Sequence, residues 1–398
     1  MTESIQKLYQ ISLKEKRKII GLMSGTSFDG LDIALCEISG NGKNTQLQLL
    51  NFTTYPYTLD FRRELSSVIS KKNIDMPLLC KMNASIGINH GIMVNNMLDK
   101  WGISNNEIDI IASHGQTVFH APATLFNHEI NSTLQLGDGD HIAIQTGIIT
   151  ISDFRQKHIA AGGEGAPLAT FGDYLLFADN KKDRILLNIG GIANFTFIPS
   201  NADFKNVIST DTGPGNTLMD QLIRHKYSDK LYDNNAEIAL KGKVNEQLFS
   251  TLFDHPFFLQ PFPKTTGPEL FNINFIQSCI EKSNTINIPF EDIMATLNKL
   301  TSTSICKAID FYINESTDYE ILISGGGIHN PLLMKSIQTH FGENHIKKFE
   351  ELNFNPNAKE ALLFAVLANE MIAGNKEIFE EGTKAMPNVS MGKISFPD

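Results

Sequence analysis

The chain has 398 residues, 41% of them hydrophobic and 20% charged, which is enough for two or three units with cores of their own. A formal charge of −10, from 34 basic and 44 acidic side chains, argues against nonspecific binding to nucleic acid or acidic membranes. Cys36, Cys80, Cys279 and Cys306 are scattered singly without metal spacing, as expected of free thiols in a reducing compartment.

Residues 1–18 are polar and lack the apolar core of a secretory leader, so the expected location is cytoplasmic. Residues 18–23 and 31–38 read as two strands around a Gly-rich connection, and "TQLQLLNFTTYPY" alternates in a way that extends their sheet. "LDFRRELSSVIS" and "PLLCKMNASIGINHGIMVNNMLDKWGI" have helical spacing. "IDIIASHGQTVFHAP" is a buried strand entering a polar loop, and "TLQLGDGDHIAIQTGIITISDFR" reads strand, helix, strand. The opening pattern then recurs. "RILLNIGGIANFTFIP" (184–199) is again strand, Gly turn, strand, followed by "VISTDTGPGNTLMDQLI" and later by "YEILISGGGIHNPLLMKSI". Two strand–turn–strand units heading two α/β halves predict a duplicated pair of lobes. The late apolar run "ALLFAVLA" (361–368) is far too short to span a membrane.

Phosphates bind where backbone N–H groups converge and no Cβ blocks approach. "SGTS", "NIGG", "TGPGN" and "SGGG" each follow a strand. One such turn is ordinary loop geometry, but four at strand ends favour a shared phosphate cleft. There is no GxxxxGK[ST], and no clear GxGxxG followed by an acid. Asp29 and Asp32 flank the first turn, and their spacing of three places them on opposite faces of a strand. One of them suits the water shell of a nucleotide-bound Mg²⁺, while an Asx-turn is the alternative. Asp211 follows the strand "NVIST" at the edge where open α/β sheets bind ligands and suits a general base, with helix capping as its alternative. Asn216, directly before the helical pattern, suits the cap better.

The stretches "GLMSGTSFDGLDIAL", "SHGQTVFH", "DFRQKHIAAGGEGAPLA", "LNIGGIANFT", "TDTGPGNTLMD", "PKTTGPELFN", "ISGGGIHNPLLM" and "NAKEALLFAVLA" occur in this order. In combination they resemble the 1,6-anhydro-N-acetylmuramic acid kinase family, from about Ile19 to near the C-terminus. The resemblance implies an α/β, two-lobe, duplicated actin-like (ribonuclease H-like) fold with mixed sheets flanked by helices and an ATP cleft between the lobes. It also implies hydrolytic opening of the 1,6-anhydro ring with transfer of the γ-phosphoryl group of ATP to O6, and a homodimer. Asp211 matches the family's base in the DxGPGN motif. Gly25, Thr26, Ser27, Phe28, Asp29, Gly30, Leu31 and Asp32 match its first phosphate-binding stretch. Gly190 and Gly191 are then the opposing phosphate turn, and Gly325, Gly326 and Gly327 flank the adenosine. Asp29 or Asp32 would reach Mg²⁺ through water, with no dedicated metal site.

For the sugar, the expected contacts are His114, Gln116, Thr117, Arg155 and Glu360. Arg155 suits a lactyl carboxylate because a guanidinium grips carboxylates bidentately, with an internal pair to Asp153 or Glu164 as the alternative. Glu360 equally suits a helix N-terminal dipole. Lys264 and Glu269 are weaker candidates. Glu164, Gln156, Lys157 and Asp173 depart from the family pattern and put fine substrate preference in doubt. The expected lobes are 1–153 with about 385–398, and 154–384. The competing readings are a same-superfamily kinase for another amino sugar and a nonenzymatic nucleotide switch. A serine hydrolase on Ser24 or Ser27 lacks GxSxG, and "GDGDH" lacks the spacing of a calcium loop.

Overall fold

The structure, a computed structural model, describes residues 2–25, 28–69, 71, 73–123, 129–166, 168–200, 204–313, 317–352, 354–374 and 389–398. Its contacts divide the chain into two units, Met1–Leu176 with Asn353–Asp398, and Phe177–Leu352.

Ile19, Ile20 and Leu22 have no exposed surface, because the strand that carries them is covered on both faces. This strand, β1 (Lys16–Ser24), pairs antiparallel with β2 (Gly30–Ser39), which pairs antiparallel with β3 (Gln46–Pro56). On its other side β1 runs parallel to β4 (Ile110–Ala121). β5 (Ser132–Leu136) pairs with β4, and β6 (Thr150–Ser152) runs parallel to β4.

In the second unit β7 (Asp183–Ile189), β8 (Ile192–Ile198) and β9 (Ile208–Pro214) form the same antiparallel meander. β10 (Tyr319–Ser324) runs parallel to β7, and β11 (Ile346–Lys347) runs parallel to β10. The short β12 (Lys393–Ser395) closes the first sheet against β6. The sheet orders β12-β6-β4-β1-β2-β3 and β11-β10-β7-β8-β9 thus share a core of five strands with identical sense. The duplication read from the recurring hairpins is a duplication of topology.

The expected cut at 153 differs from the division the contacts make, which falls after Leu176 and returns everything from Asn353 to the first unit. The reason is the helix Lys359–Ala373, buried from Ala361 to Asn369. It lies so close to β1 that a Cβ on Gly21 would stand 1.9 Å from the Ala361 carbonyl oxygen. Phe364 of this helix meets Phe154 at a ring-centroid distance of 5.3 Å, which holds the 154–176 segment in the same core. A helix Glu3–Ser12, absent from the sequence reading, precedes β1. Among the described residues no helix is long and apolar enough to cross a membrane.

Candidate active site

Because β7, β9 and β10 are parallel, their C-terminal ends share one edge of the second unit's sheet. Three Gly turns meet there. The Gly190 carbonyl accepts the Asn216 N–H at 2.8 Å, and the Gly191 carbonyl accepts those of Gly215 at 2.8 Å and Thr217 at 3.1 Å. Gly215 is required at its position, since a Cβ would stand 2.3 Å from the Gly190 oxygen. Gly325, at φ +86°, packs its Cα against Asn188 and the Ile189 carbonyl, where a Cβ would be 2.7 Å from each oxygen. The predicted turns Gly190–Gly191 and Gly325–Gly327 are therefore brought together, and "TGPGN" locks them.

Asn216 stands at the N-cap position of the helix Thr217–Lys226 but makes no side-chain cap. Its amide instead donates to the Ile189 carbonyl at 3.2 Å. Below these turns lies a cavity of about 350 Å³ lined by Asn216, Asp220, Tyr232, Asn235, Gly326 and His329 among others. Burial pushes the Asp220 carboxyl up to about 6, against the pull of Arg224. Sequence reasoning missed this cavity. Asp220 was within reach of it, four residues after Asn216 and so on the same helix face. Tyr232 and Asn235 lie in a loop with no such signal.

Asp211 lies on β9 opposite Asn194 of β8, beside a bulge. Its neighbours Thr210 and Thr212 are buried, and the alternation of the strand turns Asp211 to the other, half-buried face. Its N–H donates to the Lys264 carbonyl at 2.9 Å, and its Oδ2 accepts the Thr266 N–H at 2.8 Å. Among the described residues Oδ1 takes no hydrogen bond. Burial raises the Asp211 pKa, and the Thr266 hydrogen bond opposes the rise. The carboxylate caps no helix.

In the first unit, Gly25, Phe28 and Asp29 lie between β1 and β2, and Gly30, Leu31 and Asp32 open β2. Thr26 and Ser27 lie outside the described residues. Phe28 has φ +58°. Leu31 is wholly buried, so it offers only backbone. Asp29 is exposed and stands 3.5 Å from the half-buried Arg62, a weak pair. Asp32 is half-buried, its Oδ1 accepts the Thr54 hydroxyl at 2.5 Å, and burial raises its pKa.

Behind this turn lies a buried polar chain that sequence reasoning did not find. The His90 ring Nε2 is 2.9 Å from the Tyr57 hydroxyl, which donates to Ser24 Oγ at 2.8 Å. Ser24 Oγ donates to Gln116 Oε1 at 2.5 Å, and Gln116 Nε2 donates to the Gly25 carbonyl at 3.2 Å. The Tyr57 N–H also donates to the Asp29 carbonyl, so one residue holds both ends of the turn.

The expected sugar contacts divide accordingly. Gln116 is 1% exposed with both amide atoms engaged in this chain. His114 is buried and neutral, its pKa lowered to about 3 by burial and then by Arg155. Its Nε2 accepts from Arg155 Nε at 3.0 Å, which leaves Nδ1 to donate to the Gly115 carbonyl. Arg155 Nη1 donates to the Gly165 carbonyl at 2.7 Å, and among the described residues the guanidinium pairs with neither Asp153 nor Glu164. Two of its three nitrogens are thus committed inside the unit, and only Nη2 is left toward a carboxylate.

Glu360 reaches solvent, yet crowding around its carboxyl and then the charge of Asp32 raise its pKa, against Lys359 and Arg155. Glu360 therefore feels the charges of both Asp32 and Arg155. Thr117 accepts from Gln135 at 3.2 Å. Among the departures, Gln156 donates to the Thr133 carbonyl at 2.6 Å and buried Asp173 pairs with Lys359 at 2.7 Å, both structural contacts. Glu164 is exposed, and its charge acts on His120.

Duplicated mixed α/β sheets, each headed by a strand–turn–strand unit, with Gly turns gathered at strand ends, suit the binding and transfer of phosphoryl groups. The chain belongs to the anhydro-N-acetylmuramic acid kinase family, whose model matches residues 17–397. It is 47% identical over 401 residues to the anhydro-N-acetylmuramic acid kinase of Pseudoalteromonas atlantica, covering 100% of both chains. The Francisella tularensis subsp. novicida protein of the same name is 38% identical, covering 96% of this chain and 100% of its own. That of Caldanaerobacter subterraneus subsp. tengcongensis is 36% identical, covering 98% and 100%.

Proposed function

We propose that this chain is an ATP-dependent kinase that opens the 1,6-anhydro ring of 1,6-anhydro-N-acetylmuramic acid and phosphorylates O6. The products are N-acetylmuramic acid 6-phosphate and ADP, and the setting is peptidoglycan recycling in the cytoplasm. The observation that carries the reading is Asp211, half-buried within a family match that spans residues 17–397, with one carboxylate oxygen held and the other open. Asp211 takes a proton from water as the water oxygen bonds to C1. The C1–O6 bond breaks, O6 bonds to the γ-phosphorus, and the bond from that phosphorus to ADP breaks. No covalent enzyme intermediate is needed.

The nucleotide roles proposed are the first turn, Gly25 to Asp32, and the Gly190–Gly191 and Gly325–Gly327 turns, with Asp220 and Tyr232 added at the adenosine end. Arg155, Glu360 and Thr117 are proposed to face the sugar, with His114 and Gln116 supporting from behind. Of the two acids considered for the metal, Asp32 fits. Its Oδ2 takes no hydrogen bond among the described residues, whereas Asp29 faces Arg62 in solvent. Among the described residues no group of three or more His, Cys, Asp or Glu stands where it could hold a metal ion. A Mg²⁺ carried by the nucleotide would be held by Asp32 through water.

The test is ADP release coupled to a reporter, run with the anhydro sugar, with its ring-opened analogue and with other amino sugars. Turnover confined to the anhydro sugar is expected. Equal turnover on the ring-opened analogue overturns the reading. A homodimer is proposed on the resemblance, and sedimentation equilibrium decides it.

A further inference from the structure

Lys264 is 8% exposed, and among the described residues no carboxylate pairs with it. Its ammonium donates to the Phe257 carbonyl at 3.0 Å and the Phe258 carbonyl at 3.4 Å. It also lies 4.6 Å from the centre of the Phe257 ring and 4.4 Å from that of Phe262. A buried cation costs desolvation unless such donors, carbonyls and ring faces compensate it. A lysine so enclosed reaches no substrate. What it does hold is its own backbone.

That backbone grips Asp211 twice. The Lys264 carbonyl accepts the Asp211 N–H, and the Thr266 N–H, two residues on, donates to the Asp211 carboxylate. The same stretch is tied to the strand by Thr210, whose hydroxyl accepts the Lys264 N–H at 3.0 Å and donates to the Lys264 carbonyl at 3.2 Å. Residues 264–266 therefore form a bracket around one acid, fastened at one end by a buried ammonium and along its length by a buried hydroxyl. A surface loop needs no charge sealed in a cage of aromatic rings to stay folded. A loop that must keep one N–H aligned on one carboxylate oxygen does.

The geometry points to Lys264 as a positioning residue for the base: it anchors the 264–266 segment so that the Thr266 N–H stays on Asp211 Oδ2 and Oδ1 is aimed at the attacking water. The inference rests on Asp211 being the base. Loss of the bracket has two consequences. The carboxylate rotates more freely, which lowers turnover, and it loses the hydrogen bond that favours its charged form. Burial raises its pKa and that bond opposes the rise. Once the bond is gone, the acid is harder to ionise.

The test is Lys264→Met, which keeps the length and apolar bulk of the side chain, alongside Thr210→Val, which unties the same segment and leaves the cage intact. For each variant kcat is followed from pH 5 to 8, and ADP affinity by calorimetry. We expect kcat at pH 7 to fall about 10- to 100-fold, as for a misplaced catalytic group. The acid limb should move up by about one pH unit, and ADP affinity should hold within about twofold. If Lys264→Met does not fold, Thr210→Val carries the test. A limb that stays in place in the folded variants, or a fall in kcat matched by lost folded protein, overturns the proposal. Asp211→Asn is run beside them. If it is inactive and the limb stays in place, only the positioning role fails. If it keeps near-normal turnover, the base assignment fails and the positioning role goes with it.

Discussion

The third residue of the second strand is Asp32 in one unit and Asn194 in the other, and each faces the third strand across its meander. Asp32 pairs with Thr54, and Asn194 pairs with Asp211. The two sheets thus hold a carboxylate at one topological place but on opposite members of the cross-strand pair. In the first unit its Oδ1 is met by a hydroxyl from the neighbouring strand, and in the second its Oδ2 is met by a backbone N–H from a distant loop. The turns differ too. The β7–β8 turn is two glycines fixed by main-chain bonds to residues 215–217, whereas the β1–β2 turn is longer and is fixed by buried Tyr57, Ser24 and Gln116. Duplication preserved the frame and let the chemistry diverge. The second unit keeps its acid on a sheet whose turn is tied by main-chain bonds, and in the first unit the described ends of the turn are tied through Tyr57, Ser24 and Gln116.

If the divergence is functional, the two acids should fail differently when neutralised. Asp211→Asn should lower turnover by roughly 10²–10⁴-fold while ADP still binds, because a positioned base contributes that much. Steady-state kinetics with calorimetry checks this, and near-normal turnover removes Asp211 from the chemistry. Asp32→Asn should cost about 10-fold, expressed as a higher Mg²⁺ requirement at unchanged limiting kcat, because it touches the metal only through water. A Mg²⁺ titration of both variants separates them. Equal losses in kcat would erase the distinction between the two acids.

The turns give the next contrast. Gly215→Ala places a methyl 2.3 Å from a backbone oxygen that cannot move without opening the Gly190–Gly191 turn. Overpacking of this kind costs about 1–3 kcal/mol, read as a lower melting temperature together with weaker ADP binding. An unchanged melting temperature would mean that the second unit's turn yields as readily as the first.

Much of this was legible in the sequence because it rests on periodicity and on glycine. Strands around "SGTSFDG" and "NIGG" announce themselves by apolar runs broken at one point, and the meanders follow. Asp211 was legible because a strand, an acid and a Gly turn stand in series. The unit boundary was not, because it depends on the helix Lys359–Ala373 packing against β1, a contact between residues more than three hundred positions apart. Nor was the support of the site. Tyr57 lies beyond the end of β3 and looks like any core aromatic, and His90 lies within the long helix Met76–Trp101. Lys264 looked like a weak sugar ligand, and only the carbonyls around its ammonium show that it faces inward. The residues proposed to act on ligands carry a local signature. Residues that hold them depend on what the fold brings from elsewhere.

The smallest expected effect concerns the wall of the second unit's cavity, and it is a stability effect. Asp220 titrates near 6 in the folded chain against an ordinary 3.8, because burial disfavours its charge. Between those values the native state binds more protons than the unfolded one, so stability falls as pH rises through the window and is level above it. Asn has no proton to lose. The melting temperature of Asp220→Asn relative to the unaltered chain should therefore climb from about pH 4 to about pH 6 and then stay constant, whatever fixed offset the substitution brings. Parallel melting curves across that range would show that Asp220 ionises as freely as a surface acid. The cavity wall at Asp220 would then be a wet surface.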